Sequence, residues 1–147
     1  MFKNILIPTD GSPLSQKAVT QGIALAKSMG AKVTGFFAAP PATPIVYRNY
    51  LPTGYATPKE HEKIIERTTA KHLNFIARAA RKAGVKFEGV HATNDYAADA
   101  ILDIAKKQKC DCIVMATHGE GGLRDLVLGS VTQKVLGKSK IPVLVLR

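Results

Sequence analysis

Tryptophan is missing from this sequence, aromatic residues make up only 6%, and cysteine occurs twice. The two thiols, Cys110 and Cys112 in KCDCIV, are too few for a metal cage and lack the CxxC spacing of a redox pair. Residues two apart on a strand point to the same side, a poor start for a disulfide. Cys112 reads as the start of a buried strand and Cys110 as a free surface thiol. Long apolar runs are missing too. No stretch approaches the ~18–20 residues of a membrane span. The apolar run in MFKNILIPTDGS breaks at Pro8, short of the ~7–15 residues of a secretory core. The expected location is the cytoplasm, with no membrane partner. Acidic residues are in the minority: 21 Lys and Arg face 11 Asp and Glu, a formal net charge of +10. The lysines are scattered from Lys3 to Lys140, not gathered in one run. The aromatic-plus-basic pattern of an RNA-binding sheet is absent. No nucleic-acid partner is expected, and the charge reads as solvated helix faces that give a small anionic ligand modest electrostatic help.

What is present is an ordinary globular composition. The chain has 147 residues, 46% of them hydrophobic, which suits one domain that folds without staples. KNILIPT is a short run of mostly branched apolar residues and reads as a buried strand. Ser12 can cap a helix opened by Pro13, with Leu14, Ala18, Gly22, Leu25 and Met29 at helical spacing and Gly30 closing it. KVTGFFAAP is a second strand, so a βαβ unit forms within the first forty residues. Residues 40–58, PPATPIVYRNYLPTGYATP, hold five of the eight prolines and three of the four tyrosines. A loop of that length is usually functional or mobile, and this one reads as a lid. A long helix over 59–83 carries Ile64, Thr68, His72, Phe75, Ala79 and Ala83 along one face. VKFEGVHA is a third strand. NDYAADAILDIAKKQK is a helix capped by Asn94 or Asp95, with acidic Asp99 near its start and lysines in its last turn. CIVMA is a fourth strand, SVTQKVLGKS a last helix and IPVLVLR a last strand. Strict alternation of apolar strands with helices predicts a single-domain α/β fold: a doubly wound, five-stranded parallel sheet with helices on both faces, Rossmann-like.

In such a sheet, ligands bind beyond the carboxyl ends of the strands, where strand order reverses. Pro8-Thr9-Asp10-Gly11 follows the first strand. Ala116-Thr117-His118-Gly119 follows the fourth, leading into a glycine-rich loop and then Gly129-Ser130 at a helix start. Gly119, Gly121, Gly122 and Gly129 let backbone amides approach a charged group. The helix beginning at Ser130 offers unpaired N–H groups and a partial positive charge, which suits a phosphate. The spacing fits neither a Walker A loop nor a dinucleotide fingerprint. The same segment also reads as a plain connection.

ILIPTDGS, CIVMATHG and LVLGSVTQKVLGKSKIPVLVLR resemble the universal stress protein family, and the resemblance covers the whole chain. ATP-binding members carry a glycine, two residues, a second glycine, nine residues, then glycine with Ser or Thr. Here Gly119, nine residues and Gly129-Ser130 match the later elements. The first element is Ala116. If the backbone there needs a positive φ, alanine distorts the loop. If glycine only leaves room for phosphate, one methyl is tolerated with weaker binding. The resemblance implies that Asp10 meets the adenosine end of ATP over a floor shaped by Pro8 and Thr9. It implies that Ala38 offers backbone groups to the adenine. Gly119, Gly129 and Ser130 would hold the phosphates, with any accompanying Mg, beside Ala116, Thr117 and His118. The family also forms dimers through its final strand, here 141–147.

Single residues have plainer readings as well. Asp10 is common turn chemistry. His118 has neither a certain orienting carboxylate nor a neighbouring nucleophile, so no catalytic residue is assigned. Arg124 reaches a phosphate or pairs with Asp125 or Glu120. His61, His72 and His91 lack metal-ligand spacing. Tyr47, Tyr50 and Tyr55 cover a base or pack their loop. The expectation is an adenine nucleotide (ATP) binding homodimer acting in stress response or signalling. The rival readings are a protein-interaction module without nucleotide, and after it a slow ATP hydrolase.

Overall fold

The computed structural model describes residues 1–39, 58–119 and 127–147. Strand β1 (Asn4–Pro8) is buried on both faces, with Ile5, Leu6 and Ile7 all at 0% exposure. Such a strand must be central and sandwiched between helices. Helix α1 (Pro13–Met29) starts where Ser12 Oγ accepts the Ser15 N–H at 3.2 Å, and it ends at Gly30 with φ 65°. Its buried line is Ser15, Ala18, Val19, Gly22, Ile23 and Ala26, while Leu14 is exposed. A Cβ on Gly22 would meet Ile7 Cδ1 at 2.7 Å, so the missing side chain sets how closely α1 sits on the sheet.

Strand β2 (Lys32–Ala39) follows, and then helix α2 (Pro58–Ala83). The expected lid therefore lies outside the described residues, except that Pro58 is the first residue of α2. The expected inner face of α2 needs correction. Thr69, Ile76 and Ala80 are buried, whereas Ile64 is 52% and Phe75 37% exposed. Strand β3 (Phe87–Thr93), helix α3 (Ala97–Lys107), strand β4 (Cys112–Ala116), helix α4 (Ser130–Lys138) and strand β5 (Val143–Leu146) complete the order. The final strand is thus shorter than the expected 141–147. At the start of α3 the cap residue is Tyr96, without a side-chain bond. Asn94 Oδ1 instead accepts the Tyr96 N–H at 2.8 Å and holds the turn before it.

The sheet order is β3-β2-β1-β4-β5, and every pairing is parallel. Helices α1 and α2 cover one face over Ile5, Ile7, Val33 and Val114, and α3 and α4 cover the other over Leu6, Phe36 and Ile113. Burying a side chain of this size is worth roughly 1.5–3 kcal/mol, so these two layers dominate the stability. The expected α/β class and helices on both faces are what the structure shows. The strand order reverses between β1 and β4, which places the switch point there.

The thiols need one correction. Cys110 is buried, packed with Leu6 and Ile104, and not on the surface. Cys112 packs in the opposite layer, and both are free. Burial pushes both thiols above a thiol's ordinary range.

Candidate functional site

A crevice of about 250 Å³ opens at the carboxyl ends of β1, β2 and β4, on the side covered by α3 and α4. The chain builds it from two turns. In the first, Thr9 donates its N–H to Phe36 O at 2.9 Å, the last rung between β1 and β2. Thr9 Oγ1 lies 2.7 Å from Ser15 Oγ and accepts the Gly11 N–H at 3.1 Å. Asp10 Oδ1 accepts the Ser12 N–H at 2.9 Å. This is local turn bonding of the kind a short carboxylate makes. Gly11, at φ 81°, is where the chain needs the left-handed region. The His72 ring of α2 fills the place of its missing side chain and lies 5.0 Å, centroid to centroid, from Phe37.

The second turn leaves β4. Thr117 donates its N–H to Leu146 O at 2.9 Å and accepts the Gly129 N–H at 2.7 Å, so it ties β4, β5 and the start of α4 together. Thr132 Oγ1 donates to Ala116 O at 2.9 Å from within the first turn of α4. Gly129 caps α4 with an ordinary φ of −68° and no side-chain bond. A Cβ there would lie 3.2 Å from Thr117 O and 3.3 Å from His118 Cα. Glycine at 129 therefore serves the close approach of two backbones, not an unusual φ. A Cβ on Gly119 would run into Asp10 Oδ2, so the absence of a side chain lets the two turns meet.

The first bond of α4 is Gln133 N–H to Gly129 O, at 3.0 Å. The amides of Ser130, Val131 and Thr132 are therefore not used inside the helix. With no side chain among the described residues capping them, they and the positive end of the helix dipole lie at the crevice wall formed by Gly129 and Ser130. The start of α1, in contrast, is capped by Ser12. On the opposite wall β2 outruns β1, since their pairing ends at Pro8 opposite Phe36. Backbone groups alternate sides along a strand. The Ala38 N–H and C=O therefore face the way those of Phe36 do, past the end of β1.

Of the residues singled out in the sequence, Pro8, Thr9, Asp10, Ala38 and Ala116 line the crevice. So do His118, Gly119, Gly129 and Ser130. Thr117 does not: it is 5% exposed and spends its backbone on Leu146 and Gly129. Ala116 is the last residue of β4 and is not among the positive-φ residues, of which Lys109 is the one non-glycine example among the described residues. The backbone-strain reading of Ala116 is thereby set aside; its methyl simply occupies wall space. Sequence reasoning missed Ser15, Phe36, Ala97, Ile101, Met115, Val131 and Thr132. Phe36 stands two before Ala38 on the same face of β2, and Ala97 and Ile101 stand four apart on α3, so periodicity could have supplied them. Gly121, Gly122, Arg124 and the three tyrosines of the lid lie outside the described residues.

The family model of the universal stress protein family matches residues 1–147. The chain is similar to universal stress protein YxiE of Bacillus subtilis (strain 168), with 34% identity over 152 residues covering all of both chains. Its fold is similar to that of a universal stress protein solved in complex with cAMP, at TM-score 0.72 and 24% identity, covering 99% of this chain and 97% of that one. It is also similar to the universal stress protein of Archaeoglobus fulgidus in complex with dAMP, at TM-score 0.68 and 19% identity, covering 99% and 98%.

Proposed function

Because this chain belongs to the universal stress protein family, we propose that its crevice binds an adenine nucleotide, with ATP as the working ligand, and that the protein acts as a nucleotide-responsive module in stress signalling. The observation that carries the reading is the start of α4, which no side chain among the described residues caps, facing the switch-point crevice. Three amides that the helix itself does not use, at its positive end, suit a phosphate. Ala38, with a donor and an acceptor facing the crevice, suits the edge of an adenine. Asp10 serves the ribose, and Gly119, Gly129 and Ser130 the phosphates. No group of three His, Cys, Asp or Glu among the described residues could cage a metal, so Mg²⁺ would arrive on the phosphates. The cAMP and dAMP complexes of proteins with this fold support the base and the first phosphate.

We place the protein in the cytoplasm; no helix among the described residues is long and apolar enough to cross a membrane. We also propose one domain that pairs with a second copy through β5, an edge strand with Leu144 41% exposed. Leu144→Asp should convert the pair to monomers in sedimentation; a monomeric parent would overturn the pairing.

The decisive experiment is mass analysis of small molecules released on denaturing the freshly purified protein, followed by calorimetric titration with Mg-ATP. Released ATP or AMP, or micromolar binding, supports the reading. An empty protein that binds no nucleotide at millimolar levels would favour a protein-interaction module in which the Ala116 methyl has closed the phosphate path.

A further inference from the structure

Folding gathers a charge that the sequence shows as scattered. Helices α1 and α2 lie side by side on one face of the sheet. Together they carry nine cations, Lys17 and Lys27 on α1 and Lys59, Lys63, Arg67, Lys71, Arg78, Arg81 and Lys82 on α2, against three acids, Glu60, Glu62 and Glu66. More than half of the net charge of +10 therefore sits on this layer. The α3 and α4 layer has four lysines against Asp99 and Asp103, and one of those lysines, Lys138, is bonded to Asp99 at 3.0 Å. Every cation of the α1–α2 layer is exposed, and among the described residues none forms an ion pair.

Lys59, Lys63, Arg67 and Lys71 follow one another four residues apart, about 6 Å along the axis, and Arg78 and Lys82 repeat the spacing. Like charges at this spacing repel and weaken the helix. Glu60, Glu62 and Glu66 each stand three residues from Lys59 or Lys63, whereas from Arg67 to the end of α2 the helix carries no acid, which leaves Lys71, Arg78, Arg81 and Lys82 open to an external anion. The same layer exposes Leu14, Ile64 and Phe75. Ile64 and Phe75 are eleven residues apart, three turns, and so stand on one line of α2 at the margin of the cationic stripe. A phosphate backbone has no use for exposed Ile and Phe, whereas an anionic bilayer accepts both lysines and apolar tips.

We infer that the α1–α2 face docks peripherally on a bilayer rich in anionic headgroups. The crevice opens at the carboxyl ends of the strands, beside α3 and α4. Docking through the other layer therefore leaves it accessible.

The test is co-sedimentation of the full chain with vesicles of phosphatidylcholine alone and of phosphatidylcholine mixed with phosphatidylglycerol. Binding is expected to the mixed vesicles only. The triple variant Lys63→Gln/Arg67→Gln/Lys71→Gln should lose about a hundredfold in partition coefficient, the effect of three surface cations. It should melt no lower than the parent, because repulsion is removed. Lys106→Gln/Lys107→Gln/Lys134→Gln, with the same change of net charge on the other layer, should bind within a few fold of the parent. Ile64→Ser/Phe75→Ser should lose roughly tenfold. Absence of binding to the mixed vesicles, equal loss in both triple variants, or an unchanged Ile64→Ser/Phe75→Ser variant would each overturn the inference. So would retention of a double-stranded DNA fragment that depends on Lys63, Arg67 and Lys71 while the vesicles bind nothing.

Discussion

Gly119 has no side chain and thereby decides where a neighbouring carboxylate can lie. A Cβ at this position would run into Asp10 Oδ2. Gly119→Ala should therefore displace Asp10 and weaken adenine-nucleotide binding at least tenfold, about 1.4 kcal/mol, in calorimetric titration. Ala116→Gly should act in the other direction. Alanine there adopts ordinary extended backbone and adds only a methyl to the wall. Its removal should keep or tighten nucleotide binding at a stability cost of about 0.5–1 kcal/mol, the usual effect of glycine in a strand. Weaker binding in that variant would show that the methyl supports the ligand. The thiols give a pH test. Burial raises both in the folded state from an ordinary 9.0, so the folded protein holds its thiol protons more tightly than the unfolded chain. Stability should be unaffected below pH 9 and should fall as pH rises above it, seen as a falling thermal midpoint. At neutral pH both thiols should react with iodoacetamide far more slowly than a free cysteine.

Most of the elements were readable because each one satisfies a local rule. Ser12 and Pro13 open α1, Gly30 closes it, and Gly129 caps α4, as their residue types require. Helix α2 shows where such rules run out. It contains the neighbours Ile64-Ile65, Phe75-Ile76 and Ala79-Ala80, so two faces about 100° apart fit a helical period almost equally well. Contact with the sheet selects one of them, burying Ile76 and Ala80 at 0% exposure. Ile76→Ala should cost about 2–5 kcal/mol in denaturant unfolding, and Phe75→Ala roughly 1 kcal/mol or less. Equal costs would mean that the helix is rotated from the placement described. Cys110 was misplaced for a related reason. It lies just before β4, where strand alternation does not apply, and belongs to the same buried cluster as Leu6 and Ile104.

At the scale of the molecule, topology was legible in outline and the site in half. Alternation of strands and helices implies the doubly wound sheet, and the sheet implies a crevice at its switch point. Which flanking residues complete that crevice depends on packing across the layers. Phe36, Met115 and Ile101 meet there from three different elements. The uneven spread of charge was legible only after folding, because residues four apart on a helix look dispersed in a string of letters. A surface so dominated by one sign repels itself. Added salt that does not bind specifically should raise the thermal midpoint between low ionic strength and about 0.15 M, where screening shortens to about 8 Å. A midpoint that falls with salt would mean that attractive pairs outweigh the repulsion.

The central strand has a further consequence, which concerns birth and not equilibrium. Asn4, at the start of β1, donates its N–H to Asp111 Oδ1 at 3.0 Å, 107 residues later. One rim of the crevice is in the first strand turn, and the other follows β4. At a ribosomal pace of about 5–20 residues per second, the leading strand waits on the order of ten seconds for its neighbour. A nascent chain halted before β4 exposes one edge of β1 and owns only half of the crevice. The crevice is complete only once the start of α4 has been made, so a ligand taken up there would favour chains that carry both rims over shorter fragments.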